Sequence, residues 1–330
     1  MTGSRRPRRA FTIVELLVVI GIIAVLAGML LPAISSATRR AKKVEETNRI
    51  RQVGIAWNLY ANGNDDAALP GYLEDGGGAG DENVQEAWNV HYKLPDKEPV
   101  PDEDAAPWPW RLMPYLDYDH EVMLGYLELE ETSELIMADY TRLDPDGMHR
   151  PTKIARHPAF GYNAYYTGGW WEMMSIDGRM VSRPRFNNAH NVADDGTPTD
   201  ILAAVVAFSP SSIRNTTDYV IFCSSTDAGS GNYRRFPDFQ LGSHYVVPPF
   251  LAQEEQWNWG RRQASNPDSG RTEFAIEAMT ETAIPIGRYT GQAAVLHADL
   301  HTAPQAPGAL KDQRFWISTA SGKDYVHSEN

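Results

Sequence analysis

Glu15 is a carboxylate near the start of an apolar run that extends from Phe11 to Ile34. A charged side chain at the centre of a bilayer costs at least about 2.5–3.5 kcal/mol, so it is usually kept for a partner that neutralises it. The chemistry that Glu15 offers is therefore ion pairing with a cation in apolar surroundings. The alternative is that Glu15 only reaches the headgroup layer from the end of the helix.

A second group of candidate side chains is His297, Asp299 and His301. On a strand, alternate residues point to one face, so these two imidazoles and one carboxylate could bind a divalent metal. They also fit an edge strand and turn whose polar side chains bond to the backbone. We favour the second interpretation and predict no metal or other cofactor. Calcium in an oxygen-rich loop is a further alternative, although no acidic pair has EF-hand spacing; the available residues are Asp65, Asp66, Asp194, Asp195 and Asp227.

A long helix must carry Glu15. Beyond the apolar run, small and apolar residues recur every three or four positions, and only Pro32 interrupts residues 12–61. This pattern predicts one helix of about 50 residues, roughly 75 Å long, whose second half lays one face on a globular head. Asn62–Asp66 should end the helix. The predicted face consists of Ala37, Ala41, Val44, Thr47, Ile50, Gly54, Trp57 and Ala61.

The rest of the chain has short apolar runs between turn residues, which is typical of short strands, and helical stretches around Leu112–Leu116 and Leu127–Met137. The expected fold class is α+β, in which a long N-terminal helix, first transmembrane and then amphipathic, packs on an antiparallel β-sheet head. The apolar runs are Ile201–Phe208, Tyr219–Cys223, Tyr245–Val247, Phe274–Met279, Ala293–Leu296 and Phe315–Ile317.

Two general interpretations fit residues 1–34. A cleaved secretory signal has a shorter apolar core and a small-residue cleavage site, for which Ala27–Met29 is a weak match. A plain single-pass anchor fits the length, because about 20 residues span a bilayer, but it does not explain Glu15.

A third interpretation explains the basic leader, the apolar run and Glu15 together. Residues 8–20 resemble the type IV prepilin motif, in which a basic leader and a small residue precede Phe-Thr-Leu-x-Glu-Leu. Ala10 stands where Gly is commonest, and Ile13 where Leu is. The resemblance implies that a prepilin peptidase cuts between Ala10 and Phe11 and methylates the new amino terminus. Pro32 lies where type IV pilins often have a proline.

Cleavage would create an α-ammonium group at Phe11, one helical turn from Glu15. Pairing of this cation with Glu15 of a neighbouring subunit would neutralise both charges and set the axial register. The four leader arginines should stay on the cytoplasmic side, although four further cations follow the apolar run; these are Arg39, Arg40, Lys42 and Lys43.

The body resembles a large bacterial pilin-like family that is typical of planctomycetes. Its C-terminal signature has a His ten residues before an Asp-Gly-His turn (His-x9-Asp-Gly). Arg288–His301 is similar, but Tyr289 replaces that His and Leu300 replaces the Gly, so the signature is degenerate here. The other similar segments are Asn48–Ala56, Tyr60, Leu69–Pro70, Gly161–Asn163 and Thr217–Ser225.

Charge and cysteine usage limit the possible partners. The formal net charge is −13, and removal of the four arginines in residues 1–10 leaves −17. An acidic body argues against nucleic acid as a partner. The lone cysteine, Cys223, excludes an internal disulfide and a cysteine-rich zinc site, and its apolar neighbours predict a buried thiol.

These observations predict a structural, non-catalytic subunit, minor or decorated, of a type IV pilus-like filament or a type II secretion pseudopilus. Its parts would be a leader (1–10), a helix (11–62, transmembrane over about 13–34) and an extracytoplasmic head (63–330). It would cross the inner membrane once with its N-terminus in the cytoplasm and its head in the periplasm or at the cell surface. Its partners would be the prepilin peptidase, other pilin or pseudopilin subunits and the inner-membrane assembly platform. The alternatives are a membrane-anchored binding or adhesion module and, less favoured, a tethered enzyme or metal-binding protein.

Overall fold

The structure is a computed structural model, and it describes part of the chain. The described residues are 13–74, 107–124, 155, 157–176, 179–184, 206–227, 242–246, 260–261, 274–275, 283–289 and 291–323. The chain divides into two compact units, residues 1–42 and residues 43–330. The predicted division into leader, helix and head stays a prediction.

The N-terminal element is helix α1, which runs from Ile13 to Gly63 without interruption. The predicted stop is confirmed, because a turn follows at residues 64–66 and both Asp65 and Asp66 adopt positive φ angles, 53° and 61°. Asp and Asn tolerate this left-handed conformation better than most side chains. Pro32 lies inside the helix, as predicted.

The head is built on an antiparallel sheet in the strand order β10-β9-β5-β2, with β8 paired to the far end of β5. A second sheet has the order β1-β3-β4, in which β1 pairs parallel to β3, and β6 pairs with β7. A short helix, α2, spans Pro109–Leu112. The strands are β1 Tyr72–Glu74, β2 Phe160–Tyr162, β3 Trp170–Ile176, β4 Arg179–Pro184, β5 Val220–Asp227, β6 Gly260–Arg261, β7 Phe274–Ala275, β8 Ala283–Pro285, β9 Ala293–His297 and β10 Thr302–Gln305.

One face of the distal part of α1 packs on this sheet. Gly54 lies so close to β9 that a Cβ placed on it would come within 2.5 Å of a Leu296 methyl group. The indole Nε1–H of Trp57 faces the hydroxyl of Tyr162 on β2 at 3.3 Å, and that hydroxyl donates to the Leu69 carbonyl at 2.9 Å. The α+β fold class, with a long helix on an antiparallel sheet, is therefore confirmed.

The buried face of α1 differs from the predicted one at its start. Ile50, Gly54, Trp57 and Ala61 are buried as predicted, whereas Val44 is 60 % exposed. Val44 is two positions from the buried Glu46 and so points about 200° away from it. Ala37 and Ala41 are also exposed, Thr47 is half-buried, and the face is completed by Glu46, Val53 and Ala56.

Several apolar runs are strands as expected, and three are not. Tyr219–Cys223 and Ala293–Leu296 fall on β5 and β9. The segment Phe315–Ile317 instead begins at the last residue of a 3-10 helix, Gln313–Phe315, which Asp312 caps by accepting the Arg314 N–H at 3.0 Å. In the run from Ile201 to Phe208, the described residues 206–208 form no strand beyond an isolated bridge at Ala207. In the run from Tyr245 to Val247, the described residues 245–246 form no strand beyond an isolated bridge at Tyr245. The predicted helical stretch Leu127–Met137 lies outside the described residues.

The aromatic side chains of the Trp108-Pro109-Trp110 segment belong to the core. Trp108 and Trp110 are at most 1 % exposed, and the Trp108 ring meets the Phe222 ring edge-on with centroids 4.8 Å apart. The Tyr162 ring packs near both, with centroids 4.8 Å from Phe222 and 6.4 Å from Trp108. These tryptophans are therefore not surface groups for adhesion. Cys223 is buried as predicted, and burial raises the pKa of its thiol.

Candidate functional site

The first half of α1 is the strongest candidate for a functional surface. Every side chain from Ile13 to Ser35 is exposed, and the large apolar ones among them are 45–82 % exposed. An apolar surface of this size requires a cover of lipid or protein, because soluble monomers rarely leave such patches open. Within the described residues, α1 is the one helix whose length and composition suffice to cross a membrane.

Two of the predicted assembly residues lie on this surface. Glu15 is in the first turn of α1, where the positive end of the helix dipole favours a carboxylate. Pro32 lies inside the helix and cannot donate to the Gly28 carbonyl one turn earlier, so the helix lacks one hydrogen bond there. Ala10 and Phe11, the predicted processing residues, lie outside the described residues.

The distal part of α1 is fixed to the head by a buried ion pair. Arg288 donates from NH1 to Oε1 of Glu46 at 2.8 Å, and Ser224 on β5 donates its hydroxyl to the same oxygen at 2.9 Å. A second nitrogen of Arg288, NH2, donates to the carbonyl of Ser225. One arginine therefore joins the helix to the central strand of the sheet. Burial raises the pKa of Glu46, and Arg288 and Ser224 oppose that shift by stabilising the carboxylate.

Polar contacts continue on both sides of this pair. The ammonium group of Lys43 lies 2.5 Å from Oε1 of Gln292, just before β9. Arg49 binds the carboxylate of Glu45 one turn earlier at 2.5 Å and the carbonyl of Glu121 at 2.6 Å. The bonds to Gln292 and Glu121, together with the Glu46–Arg288 pair, hold residues 43–49 of α1 against the head.

Sequence reasoning missed Glu46, Arg288 and Ser224. Glu46 is one turn ahead of Ile50 and therefore on the buried face of α1, which is the only signal that could have pointed to it. Its partner Arg288 is 242 positions away, and no spacing rule connects them.

The structure does not place His297, Asp299 and His301 on a common strand face, the less favoured of the two interpretations. His297 ends β9, and Asp299 and His301 lie in the turn that leads to β10. The turn closes through the Leu300 N–H to the His297 carbonyl at 2.9 Å, and Leu300 adopts a φ of 68°. The left-handed position of this turn is held by Leu where the resembled signature has Gly.

The polar side chains of this turn form hydrogen bonds and ring contacts that stabilise the turn itself. His297 donates from Nδ1 to the Asp218 carbonyl at 2.9 Å, and its Nε2 faces the Gln305 amide at 3.3 Å. Its ring stacks on the His301 ring at 4.3 Å, and Asp299 pairs with His301 at 2.5 Å. Among the residues described, no group of three or more His, Cys, Asp or Glu side chains could hold a metal ion. The favoured interpretation as a hydrogen-bonded turn matches this geometry.

Three of the acidic residues considered for calcium lie in the described part of the chain, and they belong to different elements of the fold. Asp65 and Asp66 form the turn after α1, and Asp66 accepts a hydrogen bond from Ser211. Asp227 is the last residue of β5. Asp194 and Asp195 lie outside the described residues, so the calcium hypothesis stays a prediction.

Comparison with known proteins bears on the first half of α1. The family model of the prokaryotic N-terminal methylation motif matches residues 5–31. The matched segment includes Ala10, Phe11 and Glu15, and it supports a type IV pilin or pseudopilin-type protein with a prepilin-like N-terminus, as predicted. No curated protein and no solved structure matches the chain. The resemblance of the body to the planctomycete-type family stays a prediction.

Proposed function

We propose that this chain is the precursor of a structural subunit of a type IV pilus-like filament or a type II secretion pseudopilus. The observation that carries the proposal is the methylation motif at residues 5–31 on a helix whose apolar side chains are all exposed from Ile13 to Ile34. Apart from the bond that Pro32 removes and the ends of the helix, the backbone groups of such a helix are bonded internally, so the segment can span a membrane before assembly. In a filament, neighbouring copies of the same helix would cover it.

The proposed processing step is hydrolysis of the peptide bond between Ala10 and Phe11 by a prepilin peptidase. Water is consumed, the leader leaves with a carboxylate at Ala10, and Phe11 receives the new α-amino group. Methylation of this nitrogen leaves it basic, so it remains a cation near neutral pH. The cation lies one helical turn before Glu15.

Assembly would join the Phe11 ammonium of one subunit to the Glu15 carboxylate of the next. The attraction between these two charges is strong because an apolar filament core has a low dielectric constant. A subunit in the wrong register would leave both charges buried without compensation. Pro32, which lacks a hydrogen-bond donor, would let the apolar part of the helix bend.

The head would act as a displayed structural module on the outside of the membrane. It would lie in the periplasm or, in a filament, at the cell surface, with the assembly platform of the inner membrane as a further partner. Its size suggests a minor or decorated subunit. A non-catalytic role agrees with the contacts of His297 and His301, the strongest candidates for chemistry, because their imidazoles are used in the turn between β9 and β10.

Substitution of Glu15 separates the filament from a plain membrane anchor. With Glu15→Ala and Glu15→Gln, we expect the subunit to reach the membrane but to disappear from sheared or purified filaments. Glu45→Gln is the matched control, because Glu45 is an exposed carboxylate on the same helix beyond the apolar run; this variant should assemble normally. Assembly of Glu15→Gln at the wild-type level would favour a membrane-anchored binding or adhesion module.

A further inference from the structure

We propose that three cations of α1, Arg39, Arg40 and Lys42, bind anionic phospholipid headgroups on the side of the membrane that faces the head. We call these three residues the basic collar. The inference rests on the membrane-anchoring part of the proposed function and adds a lipid partner to it.

The basic collar follows a long stretch of α1 that contains no acidic side chain. No Asp or Glu occurs between Glu15 and Glu45, and three of the four positions from 39 to 42 are cationic. Arg39 and Arg40 therefore have no acidic residue three or four positions away on either side, the usual place for the partner of a helical cation. Lys42 has acidic residues at these spacings on its C-terminal side, Glu45 and Glu46. Arg40 is exposed, and Arg39 and Lys42 are partly exposed.

Lys43 differs from the basic collar, although it is adjacent in sequence. Its ammonium group is held 2.5 Å from Gln292, and Lys43 is the first residue of the compact unit that contains the head. The cations that precede it belong to the unit of the apolar helix. The basic collar is thus the last charged group of that unit.

The distance from the apolar run places the basic collar at headgroup level. At about 1.5 Å per residue, Arg39 lies roughly 7.5 Å and Lys42 roughly 12 Å beyond Ile34 along the helix. The headgroup region adds about 5–7 Å to each side of the hydrocarbon layer, and long Arg and Lys side chains extend further towards phosphates. The helical turn between Ile34 and Arg39 consists of small residues, and the Thr38 hydroxyl donates to the Ile34 carbonyl at 3.0 Å.

Processing would make the basic collar the main cationic contact with lipid. Cleavage before Phe11 removes Arg5, Arg6, Arg8 and Arg9, the four cations on the cytoplasmic side. The positive charge that remains beside the membrane is then concentrated on the head side, opposite to the usual asymmetry. Clusters of Lys and Arg next to a membrane helix are attracted to anionic lipids. The acidic head, in contrast, would be repelled by the same surface.

The test uses the full chain in nanodiscs that contain nine parts of phosphatidylcholine and one part of phosphatidylglycerol. Native mass spectrometry then measures which lipids stay bound when the disc is removed. For the wild type we expect severalfold enrichment of phosphatidylglycerol over its bulk fraction, and less enrichment at high salt. Arg39→Gln/Arg40→Gln/Lys42→Gln should bring the ratio down to the bulk value, whereas Arg39→Lys/Arg40→Lys should keep it.

The matched control removes the same charge elsewhere, with Arg51→Gln/Arg214→Gln/Lys311→Gln, and should retain the enrichment. If the wild type enters the discs but keeps the two lipids in their bulk ratio, the inference is overturned and the proposed function stays intact. Failure of the wild type to enter the discs would contradict the membrane anchoring and with it the inference. A further outcome would also overturn the inference. In that outcome, two copies associate in discs of phosphatidylcholine alone, in a salt-sensitive way that the collar variant loses, while the mixed discs show no lipid enrichment. The basic collar would then bind an acidic protein surface and not lipid.

Discussion

Arg288 and Glu46 form an ion pair, 2.8 Å between NH1 and Oε1, that is almost closed to water: the side chains are 6 % and 1 % exposed. The pair joins the segment between β8 and β9 to the buried face of α1. Since Arg288 also reaches the Ser225 carbonyl, it contacts helix and sheet at once. The ion pair therefore holds the part of α1 around Glu46 against the sheet of the head.

Removal of Arg288 should destabilise the head strongly. Arg288→Met leaves the carboxylate of Glu46 buried with Ser224 as a remaining donor, and breaking a buried pair in this way typically costs about 3–5 kcal/mol. The measurement is the free energy of unfolding of the full chain in detergent by chemical denaturation. The double variant Glu46→Leu/Arg288→Met should recover most of the loss, because no charge remains buried.

The exposed pair of Asp312 and Arg314 provides the matched control. Arg314 binds Asp312 at 2.5 Å, but its side chain is 55 % exposed, so Arg314→Met should change the unfolding free energy little. Equal losses for Arg288→Met and Arg314→Met would contradict the role given to the buried pair.

Gly54 should be intolerant of any side chain. Helix propensity alone favours Gly54→Ala by up to about 1 kcal/mol. The added Cβ, however, would lie 2.5 Å from a Leu296 methyl group in the packed interface with β9, and overpacking typically costs about 1–3 kcal/mol. We expect a net loss of stability in the same denaturation experiment.

A second substitution shows whether the loss comes from that contact. Leu296→Val, which shortens the side chain, should reduce the loss caused by Gly54→Ala when the two are combined. Gly308→Ala is the control, since a Cβ there meets nothing within 4 Å. A stabilising Gly54→Ala would mean that the helix does not approach β9 so closely.

The sequence was most informative where the pattern is local. The apolar run, the place of Pro32 and the end of α1 near Gly63 all follow from neighbouring residues, and so does the burial of Ile50, Gly54 and Trp57. The start of the buried face was not predictable, because Glu46 is buried only through a partner 242 residues away.

The alternative of a common strand face at His297, Asp299 and His301, which we did not favour, was suggested by a local pattern that the structure does not follow. An alternating His-x-Asp-x-His pattern has the period of a strand, and the turn is set by Leu300 in a left-handed conformation that Leu seldom adopts. A Gly at that position would have signalled the turn. The Asp218 carbonyl, which binds His297, lies 79 positions earlier, and no residue near His297 in the sequence indicates this contact.

Acidification should weaken the turn between β9 and β10. Burial lowers the pKa of His297, and the adjacent His301 lowers it further, while Asp218 and Asp299 act in the opposite direction. The unfolded chain, with a His pKa of about 6.5, then binds a proton more readily than the folded protein. The stabilising contribution of the neutral imidazole is therefore present above about pH 6.5 and is lost as the pH falls towards the lower, folded pKa.

The measurement is the unfolding free energy of the full chain at a series of pH values from 8 to 5. His297→Gln should show a smaller loss of stability over this range than the wild type. His301→Gln should keep most of the loss, because burial of His297 is the larger cause. If the wild type and His297→Gln lose stability in parallel, His297 is not the titrating group.

The N-terminal residue of the mature protein tests the central claim most directly. Mass spectrometry of the chain isolated from membranes of a host with an active prepilin peptidase should give a first peptide that begins at Phe11 and carries one methyl group on its α-nitrogen. A peptide that still contains Arg9 and Ala10 ahead of Phe11, or one that begins after the apolar run, would contradict the account.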